Sequence, residues 1–153
     1  PRHIGHEQRG VRLLRAVGER LRVPTECTEL AEVVAREHGH IHRSEALGAT
    51  AVLRLLERCD ALRKPARFDQ VLLACECDAR GRAGWQERPY PQRARLRAAL
   101  EAALGVATAP IAAAAQAEGA SGPAIGARIR DARVQAVAAC LAARAPTGPD
   151  WPE

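Results

Sequence analysis

Phe68-Asp69-Gln70-Val71-Leu72-Leu73-Ala74-Cys75-Glu76-Cys77-Asp78-Ala79-Arg80-Gly81-Arg82-Ala83-Gly84-Trp85 is the stretch on which the reading of this chain turns. Phe68, Leu72 and Cys75 stand at i, i+4 and i+7, the spacing of one apolar helix face. The helix is predicted to end at Gly81, where a residue without a Cβ can leave helical geometry and point the neighbouring guanidiniums outward. Two acids, Glu76 and Asp78, and two arginines, Arg80 and Arg82, then surround a glycine break that Tyr90-Pro91-Gln92 closes. That arrangement suits a phosphate-rich partner. The competing reading is that the arginines only cap the last carbonyls and offset the negative helix end.

Working outward, helical spacing recurs and strand-like alternation does not. Val11, Leu14, Val17 and Leu21 mark a helix over residues 8–22, interrupted by Pro24. Thr25 is the expected N-cap of a second helix, with Glu26 and Glu29 in its first turn and Leu30, Val34 and His38 on one face. Gly39 is expected to end it, leaving His40 and His42 in or beside the turn. From Thr50 a third helix sets Leu53, Leu56 and Asp60 at i, i+3 and i+7, which carries a carboxylate round to the buried stripe. A buried aspartate needs a partner. Further helices start near Pro91, at Pro110 and at Pro123, the last with Ile125, Ile129, Val134, Val137 and Leu141 inward. The prediction is an all-α helical bundle of about six or seven helices, divided into residues 1–64, 65–145 and a loose C-terminus at 146–153.

A chain of 153 residues supports one domain and one sizeable core, since a domain of about 150 residues buries roughly 70% of its unfolded surface. Aromatics are 3% of residues, so the core must be built from Leu, Val, Ile and Ala. The formal charge is +5, and of the 23 basic residues only Lys64 is a lysine, leaving 22 arginines. Arginine binds phosphate bidentately and stacks on bases. Residues 1–97 hold 19 basic against 13 acidic side chains and residues 98–153 hold four against five, so the front portion carries the positive field. Five cysteines without a C-x-x-C pair argue against a disulfide framework or a zinc ribbon, and point to a reducing cytoplasm. Cys27, Cys59, Cys75 and Cys140 fall on apolar helix faces. The longest uncharged run, 102–117, is broken by Gly105 and Pro110 and is short of the ~20 apolar residues of a membrane span, so a soluble protein is expected. The absence of methionine leaves open whether Pro1 follows a removed initiator or lies inside something longer. There is no Gly-rich phosphate loop, no G-x-S-x-G and no Cys/His zinc spacing.

All five histidines, His3, His6, His38, His40 and His42, lie in the first 42 residues. Clustered imidazoles with a carboxylate such as Asp60 suit a divalent transition metal, which would lower the pKa of bound water for attack on phosphorus. Each also has a plainer reading. A histidine on an apolar face, such as His38, is usually a hydrogen-bonded core residue. His3 and His40 suit the surface, and Asp60 could serve Arg63 or Arg36 in a structural ion pair.

Nearly end to end, the residues resemble the C-terminal part of the bacterial multifunctional CCA-adding enzymes, tRNA nucleotidyltransferases carrying an HD-type phosphohydrolase domain. The resemblance is carried by Pro1-Arg2-His3-Ile4-Gly5-His6-Glu7 with Arg9-Gly10, by Glu19-Arg20-Leu21-Arg22-Val23-Pro24, by Glu37-His38 with His42, and by Asp60-Ala61-Leu62-Arg63-Lys64-Pro65. The 76–85 motif, Tyr90-Pro91-Gln92 and Gly122-Pro123-Ala124-Ile125-Gly126 complete it. It implies a partial HD domain over 1–64 and a helical, tRNA-binding tail over 65–145. Asp60 resembles the family's late metal-binding aspartate, with His38 as a further ligand. His6, His38 and His42 resemble its extra histidines beside the phosphohydrolase site, as ligands or as donors to the scissile phosphate. Arg63, Lys64, Arg67, Arg80 and Arg82 would contact tRNA phosphates. The first His and the His-Asp doublet of the HD pattern, and the nucleotidyltransferase head that takes CTP and ATP with Mg, would lie upstream of Pro1. Ni, Co, Mn or Mg would serve at the HD site, incomplete in this chain. Cys77 stands where the family has a small residue such as Ala, and Ser121 where a basic residue is common.

The resemblance implies an enzyme that adds and repairs the tRNA 3′-terminal CCA and hydrolyses phosphoesters as phosphatase, 2′-nucleotidase and 2′,3′-cyclic phosphodiesterase. The chain alone is expected to be inactive, because one carboxylate and some histidines hold a catalytic metal poorly. The alternatives are a non-catalytic helical RNA-binding module and a purely structural or dimerising helical domain. A homodimer and a cytoplasmic location without membrane contact are further expectations.

Overall fold

The computed structural model describes residues 6–143, with side chains from residue 9 onward. Among the described residues there are seven α-helices and no strand: α1 (His6–Leu21), α2 (Thr25–His42), α3 (Ala49–Arg58), α4 (Pro65–Arg80), α5 (Pro91–Leu104), α6 (Thr108–Ala117) and α7 (Gly122–Ala143). A single 3-10 turn, Ser44–Ala46, links α2 to α3. The predicted all-α bundle is what forms.

The core is built around Phe68, Val71, Leu72 and Cys75 of α4, facing Val52, Leu53, Leu55 and Leu56 of α3 and Leu96, Ala99, Leu100 and Ala103 of α5. α2 closes it on one side with Val33 and Ile41, and α7 on another with Val137. The stripe that opened the sequence reading is fully buried: Phe68, Leu72 and Cys75 expose nothing. The core is continuous across Lys64–Pro65, with Val52, Leu53 and Leu56 before the junction and Phe68, Val71 and Leu72 after it in one cluster. On α7, Val137 is fully buried, while Ile125, Ile129, Val134 and Leu141 are half-covered. α1 packs chiefly on α2, and its predicted stripe is only partly used. Val11 and Leu14 are half-buried, but Val17 and Leu21 are exposed, together with Leu13.

Four local expectations are corrected. Thr25 is not a cap: it is the first residue of α2, Pro24 precedes the helix, and no side chain caps it. Gly39 does not end α2, which runs on to His42 because its buried stripe is Val33, Glu37 and Ile41, one position round from the Leu30-Val34-His38 face. Burial of Ile41 outweighs the ~1 kcal/mol that a mid-helix glycine costs. Gly81 keeps helical geometry at φ −69, donating to the Cys77 carbonyl at 2.8 Å, and the left-handed glycine of the loop is Gly84 at φ +80. Cys27 is exposed rather than on an apolar face. Cys59 and Cys75 do behave as small core hydrophobes, and burial pushes both thiols up to about 12.

The fifth correction matters most for function. Asp60 does not lie on the buried stripe of α3, because α3 ends at Arg58 and Asp60 itself turns into the left-handed region at φ +55. Asp60 N–H donates to Glu57 O at 3.0 Å and Ala61 N–H to Leu56 O at 2.9 Å. These two bonds are the closing pattern of a Schellman motif, in which glycine usually takes the left-handed place and a short polar side chain is tolerated. Extrapolating the helical period to residue 60 therefore misdirects its carboxylate. Among the described residues no single helix is long and apolar enough to cross a membrane. His3 and residues 146–153 lie outside the described residues, as does the side chain of His6.

Candidate nucleic-acid interface

Two charged clusters occupy different ends of α2. The first gathers at the α3–α4 junction. Arg63 grips Asp60 with both arms, Nε to Oδ1 at 3.0 Å and Nη2 to Oδ2 at 2.6 Å. Arg67 reaches Asp60 Oδ2 at 3.4 Å, the Cys59 carbonyl at 3.2 Å and Glu29 Oε2 at 2.9 Å. Lys64 donates to the same Glu29 oxygen at 3.1 Å. The hydrogen bond and charge of Arg63 hold the Asp60 carboxyl below the usual carboxylate range, and Lys64 does the same for Glu29.

The second cluster forms where the last turn of α2 meets the end of α4. Tyr90, half-buried just before α5, reaches His42 Nδ1 at 2.9 Å, and His42 Nε2 lies 3.0 Å from Asp78 Oδ2. Burial and neighbouring acids raise the Tyr90 hydroxyl above its ordinary range, so it keeps its proton. Burial lowers His42 below the usual 6.5, outweighing the pull of Asp78 in the other direction. A neutral His42 satisfies every atom: Tyr90 O–H donates to Nδ1 and Nε2–H donates to the carboxylate. Gln92 fastens the same corner by donating to the His42 carbonyl at 3.2 Å and to Glu45 at 3.0 Å. His38 donates from Nδ1 to the carbonyls of Val34 and Ala35, both at 3.1 Å, and meets His42 edge-on at 5.8 Å between ring centroids.

Between these residues and the loop 81–90 is an open cavity of about 530 Å³, lined among others by His38, His42, Arg80, Arg82, Trp85, Arg88 and Tyr90. The loop forms it through two successive turns, Trp85 N–H to Arg82 O at 2.9 Å and Arg88 N–H to Trp85 O at 3.1 Å. Three-residue spacing thus stacks Arg82, Trp85 and Arg88. The Arg88 guanidinium lies 4.1 Å from the indole centroid and that of Arg82 5.4 Å. Arg80 and Arg93 share Glu76, at 3.1 and 2.8 Å. Arg82 and Arg88 have no carboxylate partner among the described residues.

The predicted site residues therefore separate. His38, His42, Arg80 and Arg82 come together at the cavity; Asp60, Arg63, Lys64 and Arg67 form the other cluster. Asp60 is held towards the Glu29 end of α2, whereas His38 lines the cavity at the other end. Glu29 and His38 share α2 but are nine residues apart, about 13 Å of rise, and Arg67 ties Asp60 to the Glu29 end. His38 is hydrogen-bonded to its own helix, His40 is exposed, and Asp60 is ion-paired with Arg63. Asp60 is spent on two guanidiniums, and no group of three or more His, Cys, Asp or Glu among the described residues could hold one.

Sequence reasoning missed Arg88 and Glu37. Arg88 was signalled by the pattern Arg82-x-x-Trp85-x-x-Arg88. Glu37, 1% exposed, accepts from Arg58 Nε at 3.0 Å and Arg36 Nε at 3.1 Å, with His40 Nδ1 at 3.4 Å. Only its place on the Val33-Ile41 stripe distinguishes it.

No family model and no solved structure matches the chain. Curated relatives do. The multifunctional CCA protein of Acidovorax sp. (strain JS42) is 67% identical over 150 residues, 98% of this chain and 35% of the relative. Those of Paracidovorax citrulli and Variovorax paradoxus are each 68% identical, covering 95% and 91% of this chain and 35% and 33% of their own lengths. The chain thus spans about a third of the length of these relatives. Over nearly its whole extent it is similar, at 60–68% identity, to the C-terminal region of the bacterial multifunctional CCA proteins.

Proposed function

We propose that this chain is the tRNA-holding C-terminal part of a CCA-adding nucleotidyltransferase, the enzyme that builds and repairs the 3′-terminal CCA with CTP and ATP at a head outside these residues. The observation that carries the reading is the Arg82–Trp85–Arg88 stack, whose two guanidiniums have no acidic partner among the described residues and line a cavity beside the 76–85 motif. A positive, aromatic-bearing surface is what a single-stranded or looped RNA segment needs. Arg80 stands beside the stack, whereas Arg63, Lys64 and Arg67 offer tRNA a surface already offset by Glu29 and Asp60. Phosphohydrolase activity would belong to the longer protein. The described residues assemble no ligand set, so no step through a metal is assigned to His38, His42 or Asp60, and none to His6.

Two measurements test this. Binding of unmodified tRNA to the 153-residue chain, followed by anisotropy from 50 to 200 mM salt, is expected to weaken with a negative log–log slope set by the number of phosphates neutralised. Absence of binding, or binding indifferent to salt, would end the RNA-holding reading. The same chain is expected neither to open 2′,3′-cyclic nucleotides to the 2′- or 3′-monophosphates nor to release phosphate from those monophosphates with any added divalent metal; robust turnover of either kind would show that it carries a catalytic centre of its own.

A further inference from the structure

We propose that the cavity is a seat for one unpaired nucleotide of an RNA strand, its base lying against Trp85 and its phosphate held between Arg82 and Arg88. The inference deepens the RNA-holding reading and rests on it.

Three observations converge on this ligand class. First, the volume of about 530 Å³ falls within the roughly 300–1,000 Å³ of small-ligand sites, and the walls offer an indole, a phenol and two imidazoles rather than a plain cationic surface. Second, the chain has few aromatics, yet Trp85 is left 38% exposed at the cavity instead of in the core. The part of the indole that the two guanidiniums leave exposed offers a π surface on which any base can stack. A duplex keeps its bases stacked on each other and offers such a ring only backbone, whereas a splayed nucleotide offers both base and phosphate. Third, two guanidiniums share one ring with no carboxylate partner among the described residues. Like charges held together are relieved by an anion set between them, and guanidinium matches phosphate bidentately. Tyr90 and His42, which also line the cavity, are fixed by the hydrogen-bond chain that ends on Asp78, so this part of the wall is shaped before the ligand arrives.

The chain has two tryptophans, so Trp151→Phe leaves Trp85 as the sole tryptophan, excited selectively over Tyr90 at the red edge of the absorption band. Four probes are titrated into that variant: AMP, ribose 5-phosphate, a single-stranded RNA tetramer and a blunt RNA duplex. Saturable quenching by AMP and the tetramer is expected, with ribose 5-phosphate and the duplex at least tenfold weaker. Arg82→Ala and Arg88→Ala should each weaken the tetramer about tenfold. Because Trp85→Ala removes the reporter, its loss of tetramer affinity is read by equilibrium dialysis, with Trp85→Phe restoring most of it. Equal affinity for AMP and ribose 5-phosphate, for tetramer and duplex, or no saturable response to any probe would overturn the nucleotide seat. If tRNA still binds with normal salt dependence in that event, only the seat falls. AMP and tetramer binding without tRNA binding would keep the seat and remove the tRNA reading.

Discussion

The Asp60 corner and the Trp85 cavity are both rich in basic residues, yet they differ in what the fold has delivered to them. At the corner, Arg63, Lys64 and Arg67 meet Asp60 and Glu29, the latter brought from 35 residues away in sequence, and Arg67 is almost covered. At the cavity, Arg82 and Arg88 meet an indole and, among the described residues, no acid. A guanidinium with two carboxylates and a carbonyl holds elements together; one left over a ring at a cavity mouth is available to a ligand. Composition alone gives both clusters the same description. The distinction lies in which carboxylate the tertiary structure supplies.

Arg67→Ala should break that contrast most violently on the structural side. It removes three partners at once from a poorly exposed site, and loss of hydrogen bonds to charged groups together with the buried stem should cost about 2 kcal/mol of stability. Urea unfolding is the check, expected to show a lower midpoint with tRNA affinity per folded molecule unchanged. An unaltered midpoint, or an affinity loss matching that of Arg82→Ala, would mean the corner is no sealed structural cluster.

On the cavity side, Arg82→Ala and Arg88→Ala are each expected to weaken tRNA about tenfold and to reduce the salt slope by about one, the mark of one lost phosphate contact. The unfolding midpoint should stay nearly still. Arg63→Ala is the control that sharpens the comparison, since its charge is already matched by Asp60. It should change affinity less than about threefold. Equal losses at 63 and 82 would show that tRNA reads total charge and not the unpartnered stack.

Much of the fold was legible because apolar spacing reports helices directly. Phe68, Leu72 and Cys75 went where their period sent them, as did Val137 on α7. What failed was punctuation. Gly39 looked like an end because glycine usually is one, but Ile41 had core to fill two residues later. Asp60 looked buried because a period was carried past the true end of α3, into a left-handed residue that sequence does not mark unless it is glycine. The site was half legible. His38, His42, Arg80 and Arg82 do share a cavity, while where Asp60 stands relative to His38 is set by packing between helices, which no spacing within a single helix reports. Glu37 was hidden for the same reason, its partner Arg58 lying 21 residues away on another helix.

The finest effect expected is in pH, and it has opposite signs in stability and in binding. Burial holds His42 below 6.5, with His38 and Arg82 adding to the lowering and Asp78 opposing it, so the folded state favours the neutral ring. The unfolded chain then binds the extra proton first. Stability from neutral His42 is fully present above pH 6.5 and is lost as pH falls through 6.5 towards the lower folded value. Urea midpoints measured above and below this window should separate less in His42→Gln than in the unaltered chain; an identical separation would exclude His42 as the titrating group. Binding runs the other way. Protonation turns Nδ1 from acceptor to donor against Tyr90 and adds a positive charge to a cavity proposed to hold phosphate. Tetramer affinity should therefore rise modestly as stability falls, and His42→Gln should flatten both trends, whereas a bound anion close to Arg82 should itself draw the His42 pKa upward.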